Sequence, residues 1–150
     1  MKGYIWFDMD GTIADLYNVE GWLNDLENFS VRPYEEAKMI YPFVDFIETL
    51  GELKLKGYKL GVVSWLARNP DRVYAQRVTL AKENWLKKYL ISDLLDTIII
   101  APYGTNKSKL CEEYGNGILV DDEKFNLDSW QNGKTINANE NILKILQKMA

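Results

Sequence analysis

Six side chains, at four places along this chain, are able to do chemistry. Asp8-Met9-Asp10-Gly11-Thr12 follows the apolar run Tyr4 to Phe7, and Asp121-Asp122 follows Ile118 to Val120. Between them stand Ser64, after Leu60 to Val63, and Lys107, beyond Thr97 to Ile100. Carboxylates spaced i, i+2 leave a strand on the same face, and a second acidic pair at another strand end could converge on Asp8 and Asp10. Held about 5 Å apart, such groups would repel by roughly 3 kcal/mol per pair at an effective dielectric near 20, so the cluster implies a cation. Oxygen ligands without imidazole or thiolate select Mg²⁺. A hydroxyl and a lysine facing such a site suit a phosphoryl group, whose hydrolysis needs charge neutralisation and positioning above all.

Each residue also has a plainer reading. A carboxylate at a strand end often caps a turn or a helix, Ser64 could be such a cap, and Lys107 could be a solvated charge. Lys109 lies two residues on and competes with Lys107 for the same role, but Lys107 is favoured by its place at a helix start, where backbone N–H groups attract an anion. Asp121 and Asp122 are adjacent, so regular strand geometry sends them to opposite faces and only one is expected to touch the cation.

The elements that must position these groups alternate. The four apolar runs read as strands buried on both faces of a parallel sheet. Helical periods lie between them: Phe43, Ile47, Leu50 and Leu53, after Pro42 and before Gly57, then Tyr74, Val78, Ala81, Trp85 and Tyr89 after Asn69-Pro70. A short strand near Thr135-Ile136 and a helix through Ile142, Ile145 or Leu146, and Met149 close the chain. The rhythm is that of a doubly wound α/β fold with a Rossmann-like parallel sheet, in a single domain over 1–150. Asp15 to Ile40 interrupts it and reads as a small helical insert, the kind of segment that forms lids or binding loops. Its Trp22, Phe29 and Tyr34, with Trp65 beside Ser64, are candidates for a substrate wall, against the plainer role of packing.

Composition narrows the classes. With 150 residues, 18 Lys and Arg against 22 Asp and Glu, and a net charge of −4, the chain suits one globular core and shows no basic stripe for a polyanion. The absence of histidine removes Ser-His-Asp hydrolases, HExxH metalloproteases and imidazole-bound zinc. The single Cys111 can form no internal disulfide and is expected to be an inert thiol in a reducing compartment. Met1-Lys2-Gly3 leads directly into the first strand, and no apolar stretch approaches a membrane span of about 18 residues. The chain is therefore expected to be cytoplasmic, complete from Met1 and without a membrane partner.

Taken in order, Asp8-Met9-Asp10-Gly11-Thr12, Val62-Val63-Ser64, Lys107 and Ile118-Leu119-Val120-Asp121-Asp122 resemble the four motifs of the haloacid dehalogenase-like phosphohydrolases. The resemblance spans the chain from its first strand to its fourth. It implies Asp8 as a nucleophile that forms an aspartyl phosphate, and Asp10 as the acid and base that serves the leaving group and then water. It also implies that Ser64, Trp65 and Lys107 bind the phosphoryl group. Mg²⁺ would lie on Asp8, the backbone carbonyl of Asp10, and Asp122, with Asp121 supporting from behind. Lys82 to Leu90 and the downstream Trp130 are similar to the 5′(3′)-deoxyribonucleotidase branch, which implies a small phosphorylated substrate such as a deoxynucleotide. That branch typically carries an arginine after the acidic pair and a longer cap, whereas this chain has Glu123 and a short insert.

Three rival readings are a phosphatase for another small ester or a nucleic-acid 3′-phosphate, a phospho-acceptor receiver domain, and a Mg²⁺-binding module without activity. The net charge disfavours nucleic acid, and a receiver places its acidic pair first, whereas here an acidic pair comes last and Lys107 precedes it.

Overall fold

The computed structural model describes residues 2–89 and 91–150; Met1 and Leu90, the last residue of the Lys82 to Leu90 stretch, lie outside the described residues. Five strands form one sheet: β1 (Gly3–Phe7), β2 (Tyr58–Trp65), β3 (Thr97–Ala101), β4 (Gly117–Asp121) and β5 (Gly133–Asn137). Their order is β3-β2-β1-β4-β5 and every pairing is parallel. The chain winds from β1 through β2 to β3, then crosses back to β4 and β5. The direction reverses between β1 and β4, and that is where an open α/β sheet leaves a crevice at its carboxyl edge. Phe7 pairs with Val62 on one side and Val120 on the other, so Asp8 leaves the sheet level with Asp121.

Period-two alternation sorts the strand side chains into two cores. Ile5, Phe7, Leu60, Val62 and Val120 face one layer of helices, α3 (Phe43–Leu55), α4 (Arg72–Lys88) and α7 (Ile142–Met149). Tyr4, Trp6, Val63 and Leu119 face the other side, where Cys111 at the end of α5 (Lys107–Cys111) and Trp130 beyond α6 (Lys124–Ser129) close the core. The expected α/β architecture is present. Helix α3 turns Phe46, Leu50 and Leu53 inward, but Phe43, expected on that face, is 40% exposed. It is the first residue after the Pro42 cap and rests at the helix end near Tyr89. Cys111 is free and fully buried, and burial pushes its thiol up to about 12, in keeping with an inert group.

The segment between β1 and α3 is helical, with a 3₁₀ turn at Leu16–Asn18, α1 (Trp22–Glu27) and α2 (Arg32–Glu36). It is tied to itself by Arg32, which reaches Asp25, Glu36 and the Glu20 carbonyl. It is tied to α4 by the Tyr74 hydroxyl, which donates to the Ser30 carbonyl at 2.8 Å, and by Leu16 and Tyr34 packed on Tyr74, Val78 and Ala81. Helix α4 itself starts cleanly, because Asp71 accepts the Tyr74 N–H at 2.7 Å. Among the described residues no helix is long and apolar enough to cross a membrane.

Away from the crevice, Asp96 fastens the start of β3 to β2 and α3. Its carboxylate accepts from the Leu60 N–H and the Lys54 ammonium, both at 2.9 Å. Burial works against its charge, but these two donors hold its carboxyl below the usual range. A depressed carboxylate contributes stability that is present above its unfolded pKa near 4 and lost as pH falls through its folded value. Asp96→Asn should therefore cost about 1 kcal/mol at pH 7, a figure already discounted for solvent screening. Urea titrations should show that gap closing below about pH 4; an equal gap at pH 7 and pH 3 would remove the electrostatic explanation.

Candidate functional site

Above the carboxyl ends of β1, β2 and β4 lies a cavity of about 610 Å³ that Asp8, Asp10, Lys107, Asp121 and Asp122 line together. Parallel strands deliver these side chains to one edge from distant points of the chain. Gly11 makes the approach possible: its φ is +80°, and a Cβ there would collide with Asp122 and come to 2.8 Å from the Tyr17 ring.

Lys107, 1% exposed, is the central cation. Its ammonium donates to Asp8 Oδ1 at 2.9 Å and Asp121 Oδ2 at 2.8 Å, under the face of Trp65 at 5.3 Å. Burial opposes its charge, yet the two carboxylates outweigh that and hold its pKa above the ordinary lysine value. Lys109 is exposed on the outer face of α5, so the choice between the two lysines falls to Lys107.

Asp8, Asp121 and Asp122 each place one carboxylate oxygen within 4.8 Å of the others. Burial raises the Asp121 and Asp122 carboxyls above their usual range, and the neighbouring Asp8 charge adds to it. The two members of the pair have different duties. Asp121 is fully buried and committed to Lys107, to Asn126 Nδ2 at 3.1 Å and to the Glu123 N–H at 2.9 Å. Asp122 is half-buried, and the Thr12 hydroxyl stands between it and Asp8, at 3.5 Å and 3.2 Å. Asp122 is thus the better placed to touch a cation, and Asp121 anchors the floor.

Asp8 and Asp10 line the same cavity, but their carboxylates take different partners. Asp10 turns its carboxylate to the Lys82 ammonium at 2.8 Å, outside the three-carboxylate group, so only its backbone carbonyl could serve a metal. The chain leaves the strand after Asp8 and bends through Met9 and Gly11, which breaks the i, i+2 relation. Burial pushes the Asp10 carboxyl upward, Lys82 pulls it down, and the net direction is up. Four acidic side chains meet only two buried ammonium groups, and that excess of acidic oxygens suits one divalent cation. The oxygen-only donor set fits Mg²⁺.

Ser64 and Trp65 also sit differently from expectation. Ser64 is fully buried, is not among the cavity-lining residues, and accepts from Lys82 at 2.7 Å. Trp65 does line the cavity, but its indole N–H donates to the Thr105 carbonyl at 2.9 Å and is not free for a phosphate. Trp22 and Tyr34 line the cavity as expected. Phe29 does not; it is 47% exposed and packs edge-on against Tyr74, because its left-handed φ of 59° ends α1 and carries it away from the opening.

Sequence reasoning missed Lys82, Tyr17, Arg68, Tyr103 and Asn126. Lys82 had a signal, since it falls on the apolar arc of α4 with Val78, Ala81 and Trp85, where a solvated lysine has no place. Asn126 is 2% exposed and lines the cavity, and its Oδ1 has no hydrogen-bond partner among the described residues. Its Nδ2 is held by Asp121, so Oδ1 calls for a donor such as a bound water or ligand. Tyr17, 48% exposed, lines the opening edge-on to Trp22, and its partial burial with the carboxylates below raises its phenol and keeps it neutral. Arg68 stacks on Tyr103 at the rim, 4.7 Å from the ring centroid, and donates to its hydroxyl at 2.7 Å. No known family model matches the sequence, and a search of curated proteins finds no match.

Proposed function

We propose that the protein is a Mg²⁺-dependent phosphomonoester hydrolase of the haloacid dehalogenase-like type, working through an aspartyl phosphate on Asp8. The observation that carries this reading is a carboxylate on the cavity floor held between a buried lysine and an acidic cluster able to hold a cation. A Mg²⁺ ion held by Asp8, Asp122 and the Asp10 carbonyl would neutralise phosphoryl oxygens. Lys107 keeps Asp8 oriented and adds positive charge where the transferring group arrives. Asp8 forms the new bond to phosphorus as the ester P–O bond breaks, and the Asp10 carboxyl gives its proton to the departing oxygen. Asp10, now a carboxylate, takes a proton from the water that releases phosphate.

The aromatic wall supports a nucleoside monophosphate as substrate, in line with the resemblance to the deoxyribonucleotidase branch. Trp65, Trp22 and Tyr34 stand around the cavity, with Tyr103 tilted on Trp65 at 4.9 Å. Stacking of a base on such a ring is worth about 1–3 kcal/mol, so Trp65→Ala should lower kcat/KM for thymidine monophosphate by about 5-fold to 150-fold relative to p-nitrophenyl phosphate. A wild type that prefers sugar phosphates, or shows no nucleotide preference, would end the nucleotidase reading and leave the phosphatase reading standing.

A further inference from the structure

Lys82 is 1% exposed on α4 and belongs to no part of the reaction just described. Its ammonium has three N–H donors and three acceptors: Asp10 Oδ2 at 2.8 Å, Ser64 Oγ at 2.7 Å and the Trp65 carbonyl at 2.7 Å. The Tyr34 ring of the insert covers it, with the centroid 5.1 Å away. A buried ammonium with every donor used cannot also hold a ligand, and Lys82 does not line the cavity. Of the cavity-lining groups it touches, Trp65 offers a backbone carbonyl and Tyr34 a ring face, and Asp10 alone offers an ionisable side chain.

We infer that Lys82 and Ser64 are positioning residues that aim the Asp10 carboxyl at the leaving group, Ser64 acting by seating Lys82 rather than by touching phosphate. The geometry is that of a fixed three-way junction. The Trp65 carbonyl and Ser64 Oγ belong to the end of β2, and Lys82 transfers their position to a carboxylate on the turn after β1. Without the ammonium, a carboxylate beside Asp8 would be repelled and free to rotate toward the cation site, merging the acid with the metal cluster. Lys82 keeps its proton throughout; the proton that moves is the one on Asp10, which passes to the ester oxygen as the P–O bond breaks.

This inference builds on the phosphatase reading, and its test separates the two. Departing p-nitrophenolate needs no proton, whereas an alkoxide does, and general acid catalysis contributes about 10²- to 10⁴-fold. Lys82→Met and Ser64→Ala should each lower kcat for thymidine monophosphate at least tenfold more than kcat for p-nitrophenyl phosphate. A merely structural role lowers both together, and a Ser64 that binds phosphate raises KM for both; either result overturns the inference. If Lys82→Met does not fold, Lys82→Gln carries the same comparison. A stability cycle of Lys82→Met with Asp10→Asn, read as unfolding equilibrium constants, should show at least fivefold coupling, and less would refute the pairing. Should wild type hydrolyse neither ester, the phosphatase reading falls, and the cycle alone decides whether Lys82 holds Asp10.

Discussion

Asp8→Asn should abolish turnover of p-nitrophenyl phosphate, lowering kcat/KM by more than about 10³-fold while the protein remains folded. An amide is a poor nucleophile toward phosphorus, and the other carboxylates at the floor are engaged: Asp121 is fully buried and bonded on both oxygens, Asp10 is paired with Lys82, and Asp122 would hold the cation. The variant keeps the shape of Asp8, so Oδ1 can still accept from Lys107, and its circular dichroism should match wild type. Acid-quenching of the wild type during turnover should trap a base-labile phosphoryl group on the peptide containing Asp8. Activity of the variant within tenfold of wild type, with deamidation excluded by mass spectrometry, would remove Asp8 as nucleophile. The phosphatase reading would then have to find another attacking group.

The second large effect is on stability. Asp8, Asp121 and Asp122 crowd acidic oxygens within a partly buried floor, so binding a divalent cation there should favour the folded state. At a hundredfold excess over its Kd, Mg²⁺ should add about 2.7 kcal/mol, or roughly 5–11 °C in Tm for a chain of this size. The two adjacent aspartates should respond differently. Asp122→Asn removes a half-buried carboxylate that faces the opening, so most of the Mg²⁺-induced shift should vanish while the metal-free Tm holds or rises. Asp121→Asn weakens an anchor that Lys107, Asn126 and the Glu123 N–H all use, so the metal-free Tm should fall while much of the shift survives. Differential scanning fluorimetry at several Mg²⁺ concentrations reads both quantities. Equal shifts in the two variants would mean that the direct ligand has been assigned to the wrong residue.

The order of elements was legible in the chain because each depends on local patterning. Apolar runs of strand length, helical periods opened by Pro42 or following Asn69-Pro70, and an interruption after β1 were enough to place the parallel sheet, its helices and the insert. The edge at which the chemistry would sit was legible for the same reason, since parallel strands bring their carboxyl ends to one side whatever their order. Asp8, Lys107, Asp121 and Asp122 accordingly share one cavity.

Which partner each side chain takes was beyond the sequence, because that depends on directions set by turns and by distant packing. The chain leaves the sheet before Asp10, which turns to Lys82 rather than into the three-carboxylate group, and only the docking of α4 on β2 puts Lys82 within reach of it. Ser64 lies where its motif predicts, but Lys82 of α4 reaches it, so its hydroxyl meets an ammonium rather than open space. Phe29 differs from Trp22 and Tyr34 through a single left-handed backbone angle that no hydrophobic pattern records. Spacing along a strand or helix is a local property and survives in the sequence; the convergence of side chains from four strand ends is fixed by tertiary packing, and with it the charge that each carboxylate faces.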